Sequence, residues 1–139
     1  MVGGGRDAFI GAVHRMAMRL DDLIELKAGA LSANPDNARA SAADLGLSPD
    51  RAYADYREMA AKEAARPDGI EAVVIVTPNH LHFPVAKAFL DAGTDVICDK
   101  PLSATLAEAR ATKMEDVRPA FTSPSSLPGK VSEGLRGVT

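Results

Sequence analysis

Apolar positions first recur at helical spacing. Phe9, Ile10, Val13, Met16, Ala17 and Leu20 make one apolar face and predict a helix from about Phe9 to Leu20. Asp21-Asp22 interrupts it, and Leu23 to Leu31 reads as a strand. Asn34-Pro35 has the form of a helix start, Asn as N-cap and Pro at the first helical position, with a stop at Gly46. A short strand is expected near Ala52-Tyr53. Asp55 and Glu58 have capping-box spacing and open a helix to about Arg66, before a turn at Pro67-Asp68-Gly69. The unbroken run Ala72-Val73-Val74-Ile75-Val76 suits a parallel strand buried on both faces. A loop at Thr77 to His82, a helix from Pro84 to Ala92 closed by Gly93, and a strand from Asp95 to Cys98 follow. Thr105 and Glu108 form a second capping-box pair, opening a helix to about Met114.

Strand and helix thus alternate five times, which predicts a doubly wound parallel sheet between two helical layers, a Rossmann-type α/β domain. From Val117 onward periodicity is lost among Pro119, Pro124, Pro128 and several Ser and Gly residues, so 117–139 is expected to be an irregular tail and 1–116 the domain.

Composition narrows the function more than the fold. The chain has 139 residues, room for one domain with a real core. Aromatics are 4% and Trp is absent, so small aliphatic residues must fill that core. The net charge is −3 and Lys and Arg are scattered, which argues against a nucleic-acid footprint. No apolar run reaches the length of a membrane span, and Met1 to Arg6 lacks a signal-peptide core, so a cytoplasmic location is the default. The single cysteine, Cys98, ends an apolar strand and reads as a small buried hydrophobe rather than a nucleophile. His80 and His82 without paired cysteines are weak evidence for zinc, and no metal site is expected.

The chemistry gathers at three points. Gly3-Gly4-Gly5-Arg6-Asp7-Ala8 fits G-x-G-x-x-A between a strand stub and a helix. In that pattern Gly3 serves the tight turn, Gly5 lets backbone approach a pyrophosphate, and Ala8 allows close helix packing. The helix start offers free N–H groups to phosphate, while Asp7 sets a carboxylate nearby that must point away or cap the helix. At the end of the second strand stands Ser32 rather than an acid. Ser32 reads either as a ribose-contacting residue, with Arg39 nearby for a 2′-phosphate, or as a plain turn residue; NAD versus NADP stays open. The remaining points are Thr77-Pro78-Asn79-His80-Leu81-His82 and Asp99-Lys100-Pro101, both at carboxyl ends of strands, where open α/β sheets bind ligands.

These three motifs, in this order, resemble the N-terminal domain of the glucose-fructose oxidoreductase / inositol dehydrogenase (Gfo/Idh/MocA) family, Asp99-Lys100-Pro101 being a variant of its Glu-Lys-Pro signature. The resemblance covers about Met1 to Ala111. It implies that Gly3, Gly4, Gly5, Ala8, Phe9 and Ile10 line a pyrophosphate site. It implies that Thr77, Pro78, Asn79 and His82 follow the cofactor towards the nicotinamide, with Asp99 beside the ribose. Lys100 would bridge cofactor and substrate and act in catalysis. The implied reaction moves hydride between NAD or NADP and a hydroxyl-bearing carbon of a sugar or polyol. The family's second, catalytic α/β domain has no counterpart here, so the domain is expected to be incomplete at both ends and inactive by itself. The alternative is a non-catalytic remnant that senses a nucleotide or dimerises.

Overall fold

The computed structural model describes residues 1–6 and 8–111. Asp7, the end of the last helix near Met114, and the stretch 117–139 expected to be irregular lie outside the described residues. In chain order the elements are β1 (Val2–Gly3), α1 (Phe9–Arg19), α2 (Pro35–Asp44), α3 (Tyr56–Ala64), β2 (Ala72–Val76), α4 (His82–Asp91), β3 (Asp95–Cys98) and α5 (Leu106–Ala111). Single turns of 3₁₀ helix occupy Pro49–Arg51 and Asn79–Leu81.

All pairing is parallel. β1 pairs with β2 through Val2 opposite Ile75, and β2 with β3 through Val73 opposite Val96. On the other side of β1 the sheet continues as isolated bridges, Val2 to Ala30 and Gly29 to Ala52. The five extended segments therefore lie in the order third, second, first, fourth, fifth, with β1 at the reversal point. Alternate residues of β2 feed the two sides. Val73 and Ile75 join Met59 of α3 and Val85 and Phe89 of α4, while Val74 and Val76 join Met1, Leu31, Leu47 and Ala42 of α2. That is the three-layer arrangement the β-branched run predicts.

The caps follow the sequence signals. Asn34 accepts from the N–H groups of Asp36 and Asn37, and Asp55 from those of Arg57 and Glu58. Thr105 and Glu108 cap each other reciprocally. Gly46 and Gly93 sit at φ of 68° and 79°, the left-handed region glycine enters without a Cβ clash.

Three expectations are corrected. The strand read from Leu23 to Leu31 contracts to bridges at Gly29 and Ala30, because Leu23 and Ile24 stay 82% and 49% exposed and have no layer to pack against among the described residues. The helix expected from Pro84 starts at His82, since proline also fits the third helical position, where its missing N–H has no intrahelical partner. The helix expected to reach Arg66 ends at Ala64.

Candidate functional site

β1 is only two residues long, and its second, Gly3, already opens the Gly3-Gly4-Gly5 loop. Gly3 and Gly4 both adopt positive φ, 78° and 74°. A Cβ on Gly3 would stand 2.8 Å from the Val76 carbonyl oxygen, and one on Gly5 would stand 2.7 Å from Ser41 Oγ and 2.8 Å from the Leu31 carbonyl oxygen. The Gly5 N–H donates to that same Leu31 carbonyl at 3.0 Å. Glycine is thus demanded by the close passage of the loop between β2, the second extended segment and α2. The closest helix–loop approach falls at Gly11 rather than Ala8: a Cβ there would lie 2.4 Å from Gly4 Cα. Arg15, one turn on, donates to the Gly4 carbonyl at 2.6 Å and fixes the loop from the helix side. Arg6 donates its backbone N–H to Ser41 Oγ, and its guanidinium holds both Asp44 oxygens at 2.5 and 2.8 Å. Sequence reasoning passed over Arg15 and Ser41; neither belongs to a local motif.

Ala8 takes the N-cap position of α1 with no side chain to offer, and no acid occupies the first turn. Among the described residues no side chain caps the first N–H groups of this helix, and the positive end of its dipole faces the loop. Phe9 is 81% exposed, and its backbone N–H is the polar group it has available to a ligand at the loop; Ile10 is likewise exposed.

Beyond the ends of β1 and β2 lies a crevice of about 580 Å³, within the size range of small-molecule sites. Of the predicted residues, Gly3, Gly4, Gly5, Ala8, Ser32, Thr77 and Pro78 line it, joined by Asn37, Tyr56 and Leu81. Ser32 Oγ accepts from the Asn34 N–H at 3.1 Å, so it both supports the turn and faces the crevice. Arg39 pairs with exposed Asp36 and lines a different cavity, away from Ser32. Thr77 Oγ1 is buried without a hydrogen-bond partner among the described residues.

The other predicted residues stand apart from the crevice wall. Asn79 and His80 are exposed on the 3₁₀ turn. Asp99 accepts from the Lys100 N–H at 2.9 Å. The Lys100 side chain is exposed and makes no ion pair among the described residues, next to the cis peptide joining it to Pro101. His82, expected along the cofactor path, is 1% exposed, and both ring nitrogens are occupied: Nδ1 lies 2.5 Å from the Pro101 carbonyl oxygen and Nε2 2.8 Å from that of Thr77. Burial, then the charge of Asp99, pushes the Cys98 thiol up to about 11, which leaves it a poor nucleophile. Among the described residues no three His, Cys, Asp or Glu side chains converge as a metal site, and no helix is long and apolar enough to cross a membrane.

Residues 1–116 match the model of an oxidoreductase family with an NAD-binding Rossmann fold. The chain belongs to that family. An uncharacterised oxidoreductase of Bacillus subtilis is 44% identical over 114 residues, covering 81% of this chain and 29% of the relative. Among solved structures, an oxidoreductase from Sinorhizobium meliloti is 62% identical with a TM-score of 0.77, covering 80% of this chain and 31% of that one. An inositol dehydrogenase homologue from Azotobacter vinelandii, complexed with NADH and myo-inositol, is 48% identical with a TM-score of 0.77 and the alignment covers 80% and 29%. The oxidoreductase domain described here thus spans under a third of the length of these relatives.

Proposed function

We propose that the crevice binds a dinucleotide and that the domain serves hydride transfer to or from a sugar or polyol hydroxyl. The observation that carries this reading is the glycine loop meeting the N-terminus of α1, whose N-cap residue Ala8 offers no side-chain acceptor, at the reversal point of the sheet. A pyrophosphate there would receive backbone N–H groups and the helix dipole. The unpartnered Thr77 hydroxyl fits a wall built for a polar guest. Ser32 and Asn37, which share the wall with Asp55, would meet the adenosine ribose. Nicotinamide, when bound, supplies the hydride acceptor or donor. Lys100 would place an ammonium beside the reacting hydroxyl, where its charge favours an alkoxide; Asn79 and Asp99 would stand along the same edge. The substrate class is suggested by the relatives, including a levoglucosan dehydrogenase 35% identical over 118 residues. We also assign 1–116 as the binding domain, and a cytoplasmic location.

The test is a fluorescence titration of the purified chain with NADH and with NADPH, repeated on Lys100→Ala. Saturable binding of one nucleotide is expected, with the melting temperature of Lys100→Ala unchanged because the side chain is exposed. No binding by folded protein to either nucleotide would refute the reading.

A second reading, self-association, has its own support. Phe9, Met16 and Leu20 are 65–81% exposed and follow one another at helical spacing along α1 and its C-cap; such a stripe marks an interaction surface. Sedimentation velocity should then show a dimer that Met16→Glu dissociates, and a monomer at every concentration would refute it.

A further inference from the structure

We propose that His82 is a positioning residue: its buried imidazole clamps the loop that carries Lys100 onto the end of β2. The loop leaves β3 at Cys98 and keeps one sheet-like tie, the Asp99 N–H to the Ile75 carbonyl at 3.1 Å. Beyond it, the Lys100 N–H turns back onto its neighbour Asp99, and Pro101 has no N–H to give. Lys100 therefore stands in a stretch with little hold of its own on the sheet. The next tie is the Pro101 carbonyl, 2.5 Å from His82 Nδ1. On its far side the same ring meets the Thr77 carbonyl at 2.8 Å, across Nε2. Thr77 directly follows β2, so one side chain spans the two strand ends that flank the site.

The clamp is stiff for physical reasons. His82 is 1% exposed, so water does not compete for its nitrogens. It is the first residue of α4, a helix anchored in the core by Val85 and Phe89, both 0% exposed. An imidazole always carries at least one N–H, and its tautomer decides which carbonyl receives it. In this geometry the ring faces carbonyls from both sides and has no nitrogen left for a ligand. What it can do for the site is fix where the backbone of Lys100 and Pro101 sits. The assignment rests on the nucleotide reading only for its consequence at Lys100; the clamp itself is a property of the unliganded chain.

Two experiments separate these parts. In the unmutated chain without nucleotide, ¹⁵N-histidine spectra should show a slowly exchanging ring N–H for His82; a ring in fast exchange with water overturns the clamp. Amide hydrogen exchange is then compared in two variants, each keeping one donor. His82→Gln retains a donor reaching towards Thr77 and should lose the hold on Pro101. It is expected to speed exchange at Asp99 and Lys100, whose N–H groups are hydrogen-bonded in the loop, by about tenfold, the worth of one hydrogen bond. His82→Asn, whose amide stands nearer the place of Nδ1, should leave those amides closer to the parent. Equal loosening by both variants, or loosening spread evenly over α4 and the core, overturns the assignment. With NADH as probe, His82→Gln should bind about tenfold more weakly, again one hydrogen bond's worth, and unchanged affinity overturns the link to the site. Failure of the unmutated chain to bind NADH would sink the nucleotide reading instead, and the exchange result would still decide the clamp.

Discussion

Replacing Glu63 by alanine is expected to remove about 3–5 kcal/mol of folding stability, the usual consequence of stranding one partner of a buried ion pair. For a domain held by about 5–15 kcal/mol this approaches unfolding. Glu63 is 1% exposed and Arg51 7%. The carboxylate receives Arg51 Nε at 3.1 Å together with Arg51 Nη2, the Tyr53 hydroxyl at 2.7 Å and the Ile70 N–H at 3.3 Å. Its removal leaves a guanidinium and a phenol desolvated, with Asp68 the main remaining partner of Arg51. Burial pushes the Glu63 carboxyl up, but the hydrogen bonds from Arg51 and Tyr53 and the Arg51 charge outweigh it and hold it below the ordinary carboxylate value. Burial, then the bond to Glu63, pushes Tyr53 up to about 12, so it stays a donor throughout.

The sign of the pH effect follows. A carboxyl whose folded value is depressed contributes stability that is present above its unfolded value, about 4.3, and is lost as pH falls through the folded value. Urea unfolding at neutral pH should therefore show the full deficit of Glu63→Ala, and the deficit should shrink as pH falls below about 4. Glu63→Gln should fall between them at neutral pH. A neutral-pH deficit under about 1 kcal/mol, the range of an exposed pair, would mean the network is solvated and the argument fails.

That network was invisible in the sequence, and the reason is physical. Arg51 and Glu63 are twelve residues apart on different elements, and nothing local distinguishes a buried Glu from the exposed Glu58 one turn earlier. What was legible was whatever a short stretch decides by itself. The β-branched run gave Ala72–Val76 to the residue, and the caps at Asn34, Asp55 and Thr105 follow from side chains that reach their own backbone. The segment Leu23 to Leu31 failed because an apolar run reports burial only where another layer exists to cover it. The site divided in the same way. The glycines and the strand-end loops were placed by motif, but the direction of a side chain depends on its neighbours. So His82 turned out to lie between two carbonyls and Arg39 away from Ser32. Gly11, which packs against Gly4, lies outside the Gly3-to-Ala8 pattern, so that pattern did not point to it.

Gly11→Ala puts that last point to a direct test, and its expected result is loss of NADH affinity by about 100-fold, the scale on which misplacing a binding group by 1 Å acts. By helix propensity alone the substitution should stabilise α1 by about 0.8–1 kcal/mol. The geometry forbids that gain. The new methyl would lie 2.4 Å from Gly4 Cα and 2.7 Å from Gly4 O, and both contacts are backbone, so no side chain can swing aside. Gly4 itself is held at φ 74° with its carbonyl bonded to Arg15. Either the loop or the first turn of α1 must move, at about 1–3 kcal/mol for overpacking, and each carries half of the proposed phosphate site. Gly46→Ala is the control. Gly46 also has positive φ, 68°, but nothing lies within 4 Å of its added Cβ, so it should lose about 1–2 kcal/mol to backbone strain and bind NADH as the parent does. If Gly11→Ala instead binds NADH normally, the glycine loop is not where the phosphates sit, whatever the parent chain's affinity. If both variants lose binding together with stability, the loss reports folding and not the loop, so equal melting temperatures for two variants of unequal affinity are the signature that the close packing of Gly4 on Gly11 shapes the site.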